Sequence, residues 1–380
     1  MRVAIVAPWY TANGGAEKVD GILGSMYPDA DFYALFYREG GIPAKLKGRH
    51  IQGSFLQRIP AIDRVYRPLL TLFPYAVESF DMSGYDLVIT SDWACIKGVV
   101  TDPKTVNICY CHTPMRHIWD LYRTYLSDAA PWQRPAYAWT TKNLRQWDYQ
   151  AAQRVDHFVA NSIYIQHRIE KYYGRTSPVI YPPVDTSKGY LSSSTGDYYL
   201  SVSRLNRTKR IDLLIQACNR LGRKLIVSGW GPEEMALKQI AGDTIEFVGR
   251  VPDSRLGSLY ANCRALLFAA DEDFGIVPVE AQSYGRPVVA FGRGGSLETV
   301  RVGQPHIGPD TGVFFSEQTP ESVADGILRF EAKENMFSPK AIQQHAETFS
   351  VDEFVNRFGN FVDNVMGCEK ADQEKLMACR

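Results

Sequence analysis

The sequence predicts an α/β protein made of two Rossmann-like, doubly wound domains, and three observations support that prediction. At 380 residues the chain is too long for one ordinary core and suits two domains of roughly 150–200 residues. Short apolar runs alternate with stretches of helical periodicity, as in βαβ units with parallel sheets. The pattern restarts once, after residues 185–197, which are rich in the Ser, Gly and Thr of a domain boundary.

The apolar runs place strands in both halves of the chain. We expect a first domain over residues 1–185, joined by a C-terminal helix over about residues 356–380, and a second domain over 186–355, facing each other across a central cleft. The predicted strands are Val3–Ala7, Phe32–Ala34, Tyr85–Thr90, Thr105–Cys109, His157–Ala160, Val179–Tyr181, Tyr198–Val202, Lys224–Ser228, Ile245–Phe247, Ala265–Phe268 and Pro287–Ala290.

Composition narrows the class of protein. A hydrophobic content of 45% with 22% charged residues and zero formal net charge is typical of a soluble globular protein and does not indicate nucleic-acid binding. The chain starts as a strand, without the apolar core of a signal peptide, which predicts a cytoplasmic protein. Its seven cysteines form no Cys-x-x-Cys pair, so we expect reduced thiols, with Cys109 and Cys111 buried in a strand.

A glycine pair follows the first strand, in the segment Asn13-Gly14-Gly15-Ala16-Glu17. Glycines before a helix let backbone N–H groups approach an anion. A plain tight turn fits the same residues equally well. The segment is not Gly-x-Gly-x-x-Gly, which counts against a dinucleotide-binding oxidoreductase.

A basic loop follows the first strand of the second half. Ser203–Arg210 contains Arg204, Arg207, Lys209 and Arg210 between a predicted strand and a helix. Ligands of open α/β sheets bind at the carboxyl ends of the strands, so this loop suits a diphosphate. A solvated basic turn is the alternative.

Two glycine-containing loops end the next strands. Ser228–Glu233 includes Gly231, and Phe247–Val251 includes Gly249. Their glycines would admit a flat ring or a phosphate close to the backbone, although structural turns explain either loop as well.

The most informative segment is Asp271–Ala281, which follows a predicted strand and leads into a helix. Glu272 is expected on the loop and Glu280 on the helix. Backbone N–H groups from Phe274 to Val277 would form the helix N-terminus and suit a sugar hydroxyl or a phosphate charge. Ordinary acidic enrichment at a helix start explains Glu272, but not the run Phe-Gly-Ile-Val-Pro.

Taken in order, these motifs resemble glycosyltransferase family 4, a large family of retaining enzymes with the GT-B fold. The sequences of the segments Cys111–Asp120 and Asp273–Gln282 are similar to those of the WbaZ-type mannosyltransferases of bacterial O-antigen and exopolysaccharide assembly. The resemblance covers about residues 1–345 and rests on Gly14–Glu17, His112–Pro114, Tyr181–Asp185, Ser203-Arg204 with Lys209, Glu272–Gly275 with Glu280, and Gly294-Gly295 with Glu298.

The resemblance implies a role for each motif. Arg204 and Lys209 would stabilise the donor diphosphate as it leaves, in place of a divalent metal, so no metal or other cofactor is expected. Glu280 would bind the ribose, and Glu272 the transferred sugar. His112 would close over the sugar from the first domain. The remaining predicted donor-binding residues are Gly14, Gly15, Ser203, Gly231, Gly249, Arg250, Val251, Phe274, Gly275, Ile276 and Val277, with Gly294, Gly295 and Glu298 supporting the donor loop.

The basic loop departs from the family pattern at one position. Arg210 follows Lys209 where many family members have glycine. It adds a cation and leaves open which side chain meets which phosphate.

The expected reaction is retaining transfer of mannose from GDP-mannose to a polyprenyl-diphosphate-linked glycan. A UDP-sugar enzyme with a soluble acceptor, a nucleotide-sugar epimerase and a non-catalytic sugar-binding protein remain alternatives. The segment Phe55–Phe80 mixes apolar residues with Arg58, Arg64 and Arg67, which suits either the anionic inner face of a membrane or a helix buried in the first domain.

Overall fold

The computed structural model describes residues 1–12 and 14–378, without the side chains of Arg67 and of residues 369–378. Asn13 of the first glycine loop, Cys379 and the side chain of Arg67 therefore lie outside the described part. The chain divides into two units. One contains Met1–Pro183 together with the residues from Phe354 on, and the other is Val184–Glu353.

The first unit is built on a six-stranded parallel sheet. Its strands are β1 (Val3–Tyr10), β2 (Asp31–Tyr37), β3 (Ile51–Gly53), β4 (Leu87–Asp92), β5 (Val106–Cys111) and β6 (His157–Ala160). They lie in the order β3-β2-β1-β4-β5-β6. The strand β5 is buried along its whole length, as expected for a parallel strand covered on both faces. The interpretation of Cys109 and Cys111 as buried strand residues is thus confirmed.

The second unit repeats this architecture. Its strands are β7 (Tyr198–Val202), β8 (Lys224–Ser228), β9 (Ile245–Gly249), β10 (Leu266–Phe268), β11 (Val288–Phe291) and β12 (Gly312–Phe315). The order is β12-β11-β10-β7-β8-β9, again with parallel pairing. In both sheets the first and fourth strands are neighbours. The chain adds its first three strands towards one edge of the sheet and its last three towards the other, although all strands stay parallel. Such switch points are where α/β sheets bind ligands.

Helices cover the faces of both sheets. The C-terminal helix begins in the second unit and continues into the first, where Phe354 and Phe358 pack on Tyr110 of β5 at ring distances of 5.6 and 6.0 Å. The helices are α1 (Gly15–Met26), α2 (Ile62–Val65), α3 (Phe73–Glu78), α4 (Tyr122–Asp128), α5 (Arg134–Gln153), α6 (Ile163–Tyr173), α7 (Ile211–Leu221), α8 (Glu234–Ile240), α9 (Asp253–Asn262), α10 (Ile276–Ser283), α11 (Ser296–Thr299), α12 (Pro320–Glu331), α13 (Pro339–Glu347) and α14 (Val351–Ala378).

The predicted strands mostly coincide with observed ones, and the exceptions are short or lie at a sheet edge. The edge strands β3 and β12 were not predicted because each is only three or four residues long. The predicted strand Val179–Tyr181 is wrong. It forms only one isolated bridge, between Val179 and Ala160. Two prolines follow it directly, and proline has no N–H to extend a ladder.

The segment Phe55–Phe80 is broken into short helices and turns. Most of its apolar side chains belong to the core of the first unit, which favours the buried alternative over the membrane one for these residues. Val65 and Leu72 are exposed, whereas Leu56, Ile62 and Phe73 are buried and Ile59, Leu69 and Leu70 pack against them. Within the described residues, none of the helices is both long and apolar enough to cross a membrane.

Candidate active site

The two strands that flank the switch point of the second sheet each lead into a predicted site loop. The basic loop follows β7, and the Glu272 loop follows β10. The Lys209 ammonium contacts the Glu272 carboxylate Oε1, and each side chain is 24% exposed. The fold therefore brings together two of the four residues predicted to be catalytic, one from each loop.

Arg204 lies on the same basic loop and is exposed. Its guanidinium lies over the ring of Trp230, 5.4 Å from the ring centroid. Trp230 is itself 53% exposed, in the loop after β8. Stacking on an aromatic face holds a guanidinium in place while leaving its N–H groups free to bind an anion. This role of Trp230 was not predicted from the sequence, where the only signal is an aromatic residue between Gly229 and Gly231.

Arg210 is not a third free cation of the loop. Its guanidinium donates to both carboxylate oxygens of Asp212, at 3.2 and 3.0 Å. Its backbone is left-handed, with φ of 51°. Glycine adopts that conformation without strain, which accounts for the glycine that many family members carry here. Arg210 is thus held by Asp212, as Lys209 is by Glu272, whereas Arg207 is 85% exposed with Glu233 only at 3.8 Å.

The glycines of the loop after β8 have a packing role. A Cβ on Gly231 would come within 2.2 Å of the Leu205 carbonyl oxygen, and one on Gly229 within 1.8 Å of the Ser203 carbonyl oxygen. The Leu205 N–H donates to the Trp230 carbonyl at 2.9 Å. The backbone of the basic loop, rather than a ligand, therefore occupies the space left by the missing side chains of these glycines. The glycines thus allow the basic loop to pack against the loop after β8.

Gly249 differs from the glycines after β8. It ends β9 with φ of 64°, and no atom lies within 4 Å of the position of an added Cβ. Its carbonyl accepts from the Gly229 N–H at 2.9 Å. Arg250 follows it and is exposed, and Val251 is half-buried. The turn after β9 is consequently open at the same edge of the sheet as the basic loop.

The Glu272 loop leads into α10 through Gly275, whose φ is 92°. Within the described residues, no side chain caps the start of α10, where Ile276 and Val277 carry the first backbone N–H groups. The Phe274 side chain is buried and packs on Phe349, with a ring distance of 5.6 Å. Its side chain therefore anchors the loop, and only its backbone is suited to a ligand.

Glu280 lies on α10 and is half-buried. Its Oε2 accepts a hydrogen bond of 3.0 Å from the Tyr260 hydroxyl. One carboxylate oxygen is thereby oriented by a buried tyrosine, which a side chain that grips a ligand requires. Glu272 and Glu280 thus have different partners, Lys209 and Tyr260.

Two glycines support the Glu272 loop from behind. The Gly295 N–H donates to the Glu272 carbonyl at 2.8 Å. A Cβ on Gly294 would lie 2.5 Å from that same oxygen, and one on Gly295 would lie 2.2 Å from the Phe274 carbonyl. Glu298 follows in the short helix α11. Any side chain at either glycine would push the loop that carries Glu272 out of place.

The first unit places its own predicted residues at the carboxyl edge of its sheet. Gly14 precedes α1, and its N–H donates to the Glu17 carboxylate at 3.0 Å. Gly15 is the first residue of α1. His112 directly follows β5, and its N–H donates to the Asp92 carbonyl at 2.8 Å. Burial lowers the pKa of His112 to about 4, so the imidazole is neutral at pH 7.

A buried ion triad that was not predicted from the sequence lies next to the end of β4. Lys97 is completely buried between Asp92, at 3.0 Å, and Asp148, at 2.5 Å. Asp92 also accepts from the N–H groups of Ala94 and Ile96. The two carboxylates outweigh desolvation and raise the pKa of Lys97. The triad fixes the end of β4 and the turn that follows it. Asp92, the last residue of β4, accepts the backbone N–H of His112 through its own carbonyl.

Comparison with known proteins gives family matches over most of the chain. The family model described as Glycosyltransferase Family 4 matches residues 32–188, and the model described as Glycosyl transferases group 1 matches residues 185–348. The α-1,3/1,6-mannosyltransferase ALG2 of Saccharomyces cerevisiae is 25% identical over 76% of this chain and 69% of its own length. The human ALG2 protein is also 25% identical, over 44% of this chain and 45% of its own length.

Solved structures share the fold over nearly the whole chain. HepE of Anabaena, solved in complex with UDP, has a TM-score of 0.69 at 18% identity and covers 96% of this chain and 100% of its own. Sucrose-phosphate synthase of Thermosynechococcus elongatus has a TM-score of 0.70 at 16% identity, with 97% and 100% coverage. Since two adjoining family models span residues 32–348 and both sheets have Rossmann-like order, the chain belongs to glycosyltransferase family 4 and has the GT-B fold.

Proposed function

We propose that this glycosyltransferase is a retaining, metal-independent mannosyltransferase that uses GDP-mannose as donor. The observation that carries the proposal is the Lys209–Glu272 contact at the switch point of the second sheet, on the same basic loop that carries Arg204. It supplies two cations for a diphosphate and a carboxylate for sugar hydroxyls in one place. The choice of mannose is supported by relatives that are named mannosyltransferases.

Each group would have a distinct role. Arg204 and Lys209 would stabilise the negative charge that develops on the diphosphate, which is the work a divalent metal does in other transferases. Glu272 would hold Lys209 in position and bind the transferred sugar. Glu280, oriented by Tyr260, would accept hydrogen bonds from the ribose hydroxyls.

The reaction would proceed with retention by front-face attack. The acceptor hydroxyl oxygen forms the new bond to the anomeric carbon as the bond from that carbon to the β-phosphate oxygen breaks. The departing phosphate oxygen takes the acceptor proton, so no protein base is needed. The protein contributes orientation, the two cations and the exclusion of water.

The acceptor would be a polyprenyl-diphosphate-linked glycan of bacterial O-antigen or exopolysaccharide assembly, reached at the anionic inner face of the membrane. One surface supports a membrane location better than Phe55–Phe80 does. Residues 122–140 contain no buried side chain, yet they carry Trp132 and Trp139, which are 79% and 66% exposed. Tryptophans with neighbouring cations, here Arg123 and Arg134, are typical of membrane interfaces.

The donor is tested by thermal shift with GDP-, UDP- and dTDP-sugars, since a site-specific ligand raises the apparent stability by mass action. GDP-mannose should give the largest shift and should be consumed when a polyprenyl-diphosphate-linked acceptor is added. EDTA should leave the rate unchanged, and NMR of the product should show the anomeric configuration of the donor. A larger shift with a UDP-sugar, or binding without turnover, would overturn the proposal in favour of the alternatives.

A further inference from the structure

An open groove runs along one face of α5 in the first unit. Its volume is about 430 Å³, a size that ordinary small-molecule sites share. One wall is Trp119, and the residues of α5 that line the groove recur at intervals of three and four, which places them on one side of the helix. These residues are Lys142, Arg145, Gln146, Tyr149 and Gln150.

The aromatic wall of this groove is held in place from inside the unit. The Trp119 indole N–H donates to Asp148 Oδ2 at 2.7 Å, and Asp148 is the completely buried carboxylate that also pairs with Lys97. The Trp119 ring stacks on Tyr172, with ring centroids 4.9 Å apart and an angle of 19° between the planes. A side chain fixed in this way loses little conformational freedom when a ligand binds against it.

Arg145 is a cation of the groove that is positioned by neutral groups. Its guanidinium lies over the rings of Trp119 and Tyr122, at 5.4 and 5.1 Å from their centroids. Its Nε and Nη2 donate to the Ile118 carbonyl at 2.9 and 2.6 Å. None of the described carboxylates forms an ion pair with it. Its charge is therefore oriented but not neutralised, which suits a guanidinium that binds an anion.

The other polar groups of the groove can also donate hydrogen bonds to an anion. Lys142 is exposed and has no ion-pair partner in the described part of the chain. The Gln146 and Gln150 amides and the Tyr149 hydroxyl are exposed as well. The lining residues include a lysine and an arginine but no aspartate or glutamate. This set of donors is complementary to a ligand with more than one negative charge.

The same face of α5 carries one of the exposed tryptophans. Trp139 precedes Lys142 by three residues and Gln146 by seven, so the helix places it in line with the groove. It is 66% exposed and belongs to residues 122–140, the surface that we assign to the membrane. Indole rings of this kind lie at the level of the lipid headgroups. An anion held in the groove would thus be one carried by a lipid.

We propose that the groove along α5 binds the diphosphate of the lipid-linked acceptor, with Arg145 and Lys142 as its cations. Two cations match a diphosphate, which carries a charge on each phosphate, better than the single charge of a common anionic phospholipid. The identification of this lipid as the acceptor rests on the proposed function. Binding of a lipid diphosphate to the groove does not, and it can be measured without transfer.

Flotation of the full-length protein with vesicles measures that binding. The vesicles are neutral phosphatidylcholine containing either geranylgeranyl diphosphate or enough phosphatidylglycerol to give the same surface charge. We expect the wild type to bind the diphosphate vesicles at least about tenfold more tightly, and Lys142→Gln and Arg145→Gln each to remove most of that difference. Lys104→Gln, which removes an exposed charge before β5, is the matched control and should bind like the wild type.

A further variant separates the groove from the donor site, which also suits a diphosphate. Lys209→Ala should bind the diphosphate vesicles like the wild type. Loss of binding in Lys209→Ala would place the lipid diphosphate at the donor site and overturn the proposal. Equal binding of the wild type to both kinds of vesicle, or wild-type binding by Lys142→Gln and Arg145→Gln, would overturn it too. Because Lys142 is exposed, its variant remains informative even if Arg145→Gln fails to fold.

Kinetics connect the groove to transfer. Lys142→Gln should raise the acceptor KM about tenfold and leave the donor KM and kcat within about threefold, since the groove would act on acceptor binding alone. An unchanged acceptor KM would mean that the bound diphosphate is not the acceptor's and would overturn the proposal. If the vesicles behave as expected but no sugar is transferred from any donor, the diphosphate groove stands and the proposed function fails.

Discussion

The Lys209 ammonium contacts the Glu272 carboxylate although the two residues are 63 positions apart and lie on different loops. Both side chains remain partly exposed. An exposed ion pair contributes little to stability, so this contact is better explained by a need to hold a cation and a carboxylate where a sugar diphosphate binds.

Removing either partner should therefore abolish transfer and leave the fold intact. We expect Lys209→Ala and Glu272→Ala to reduce kcat by at least about 100-fold, since each removes a charge that acts on the transition state. The measurement is donor turnover, with circular dichroism as the check on folding. Lys238→Ala is the matched control, because Lys238 forms an exposed pair with Glu234 on α8, 2.7 Å apart. Near-normal turnover in either site variant would remove the basis of the assignment.

Arg210 should tolerate glycine. The variant Arg210→Gly relieves a left-handed backbone but gives up the Asp212 pair and adds freedom to the unfolded chain. These effects oppose each other, so we expect the free energy of unfolding to change by less than about 1 kcal/mol. Transfer activity should persist. Arg210→Val, with a β-branched side chain at the same φ, is the contrasting variant and should be clearly less stable in urea.

A large loss of activity in Arg210→Gly, with the fold preserved, would show that this guanidinium binds the diphosphate after all. The kinetic signature would be a raised donor KM, because the cation would act on the bound ground state as well.

The ion triad around Lys97 should be critical for stability. Lys97→Met would leave Asp92 and Asp148 buried without their cation, and breaking a buried pair in this way typically costs about 3–5 kcal/mol. Urea unfolding followed by fluorescence measures the loss. Lys142→Met on the same helix as Asp148 changes an exposed lysine and should cost less than about 0.5 kcal/mol. Equal effects of the two variants would contradict the structural role of the triad.

Three histidines, of which His112 is buried and His117 and His345 are half-buried, should make the protein sensitive to mild acid. Burial lowers the pKa values of His112, His117 and His345 to about 4. Between pH 6.5 and 4 the unfolded chain binds protons that the folded chain does not, so stability falls as the pH falls through this window. Each histidine contributes a slope of about 1.4 kcal/mol per pH unit.

The contribution is isolated by comparing urea unfolding at pH 7 and pH 5. His345→Gln lies outside the proposed chemistry and should flatten the pH dependence by about one third of the histidine contribution. An unchanged slope would mean that the pKa of His345 is not lowered in the folded protein.

Local sequence patterns predicted the strands and the loops that follow them. The strand that precedes each site loop, such as Tyr198–Val202 before Arg204, was visible because a buried parallel strand is a continuous apolar run. The partners of the site residues could not be predicted, since Trp230 under Arg204 and Ser91 beside His112 are brought together by strand order. Lys97 was missed for the same reason. A lysine in the apolar run after β4 becomes interpretable only when Asp148, 51 residues later, is seen to neutralise it.

The exposed tryptophans of residues 122–140 offer a direct test of the membrane location. We expect the wild-type protein to float with vesicles that contain anionic lipid and the variant Trp132→Ala/Trp139→Ala to bind them at least about tenfold more weakly, since each exposed indole loses its favourable interfacial burial. Trp230→Ala is the matched control, because Trp230 is 53% exposed in the second unit and should not alter flotation. Binding to anionic vesicles should be stronger than binding to neutral ones, because Arg123 and Arg134 add an electrostatic attraction. Added salt should reduce this difference. If the double variant floats like the wild type, this surface does not contact the membrane. If the wild type does not float, the lipid-linked acceptor loses its structural support while the donor site at Lys209 and Glu272 is unaffected.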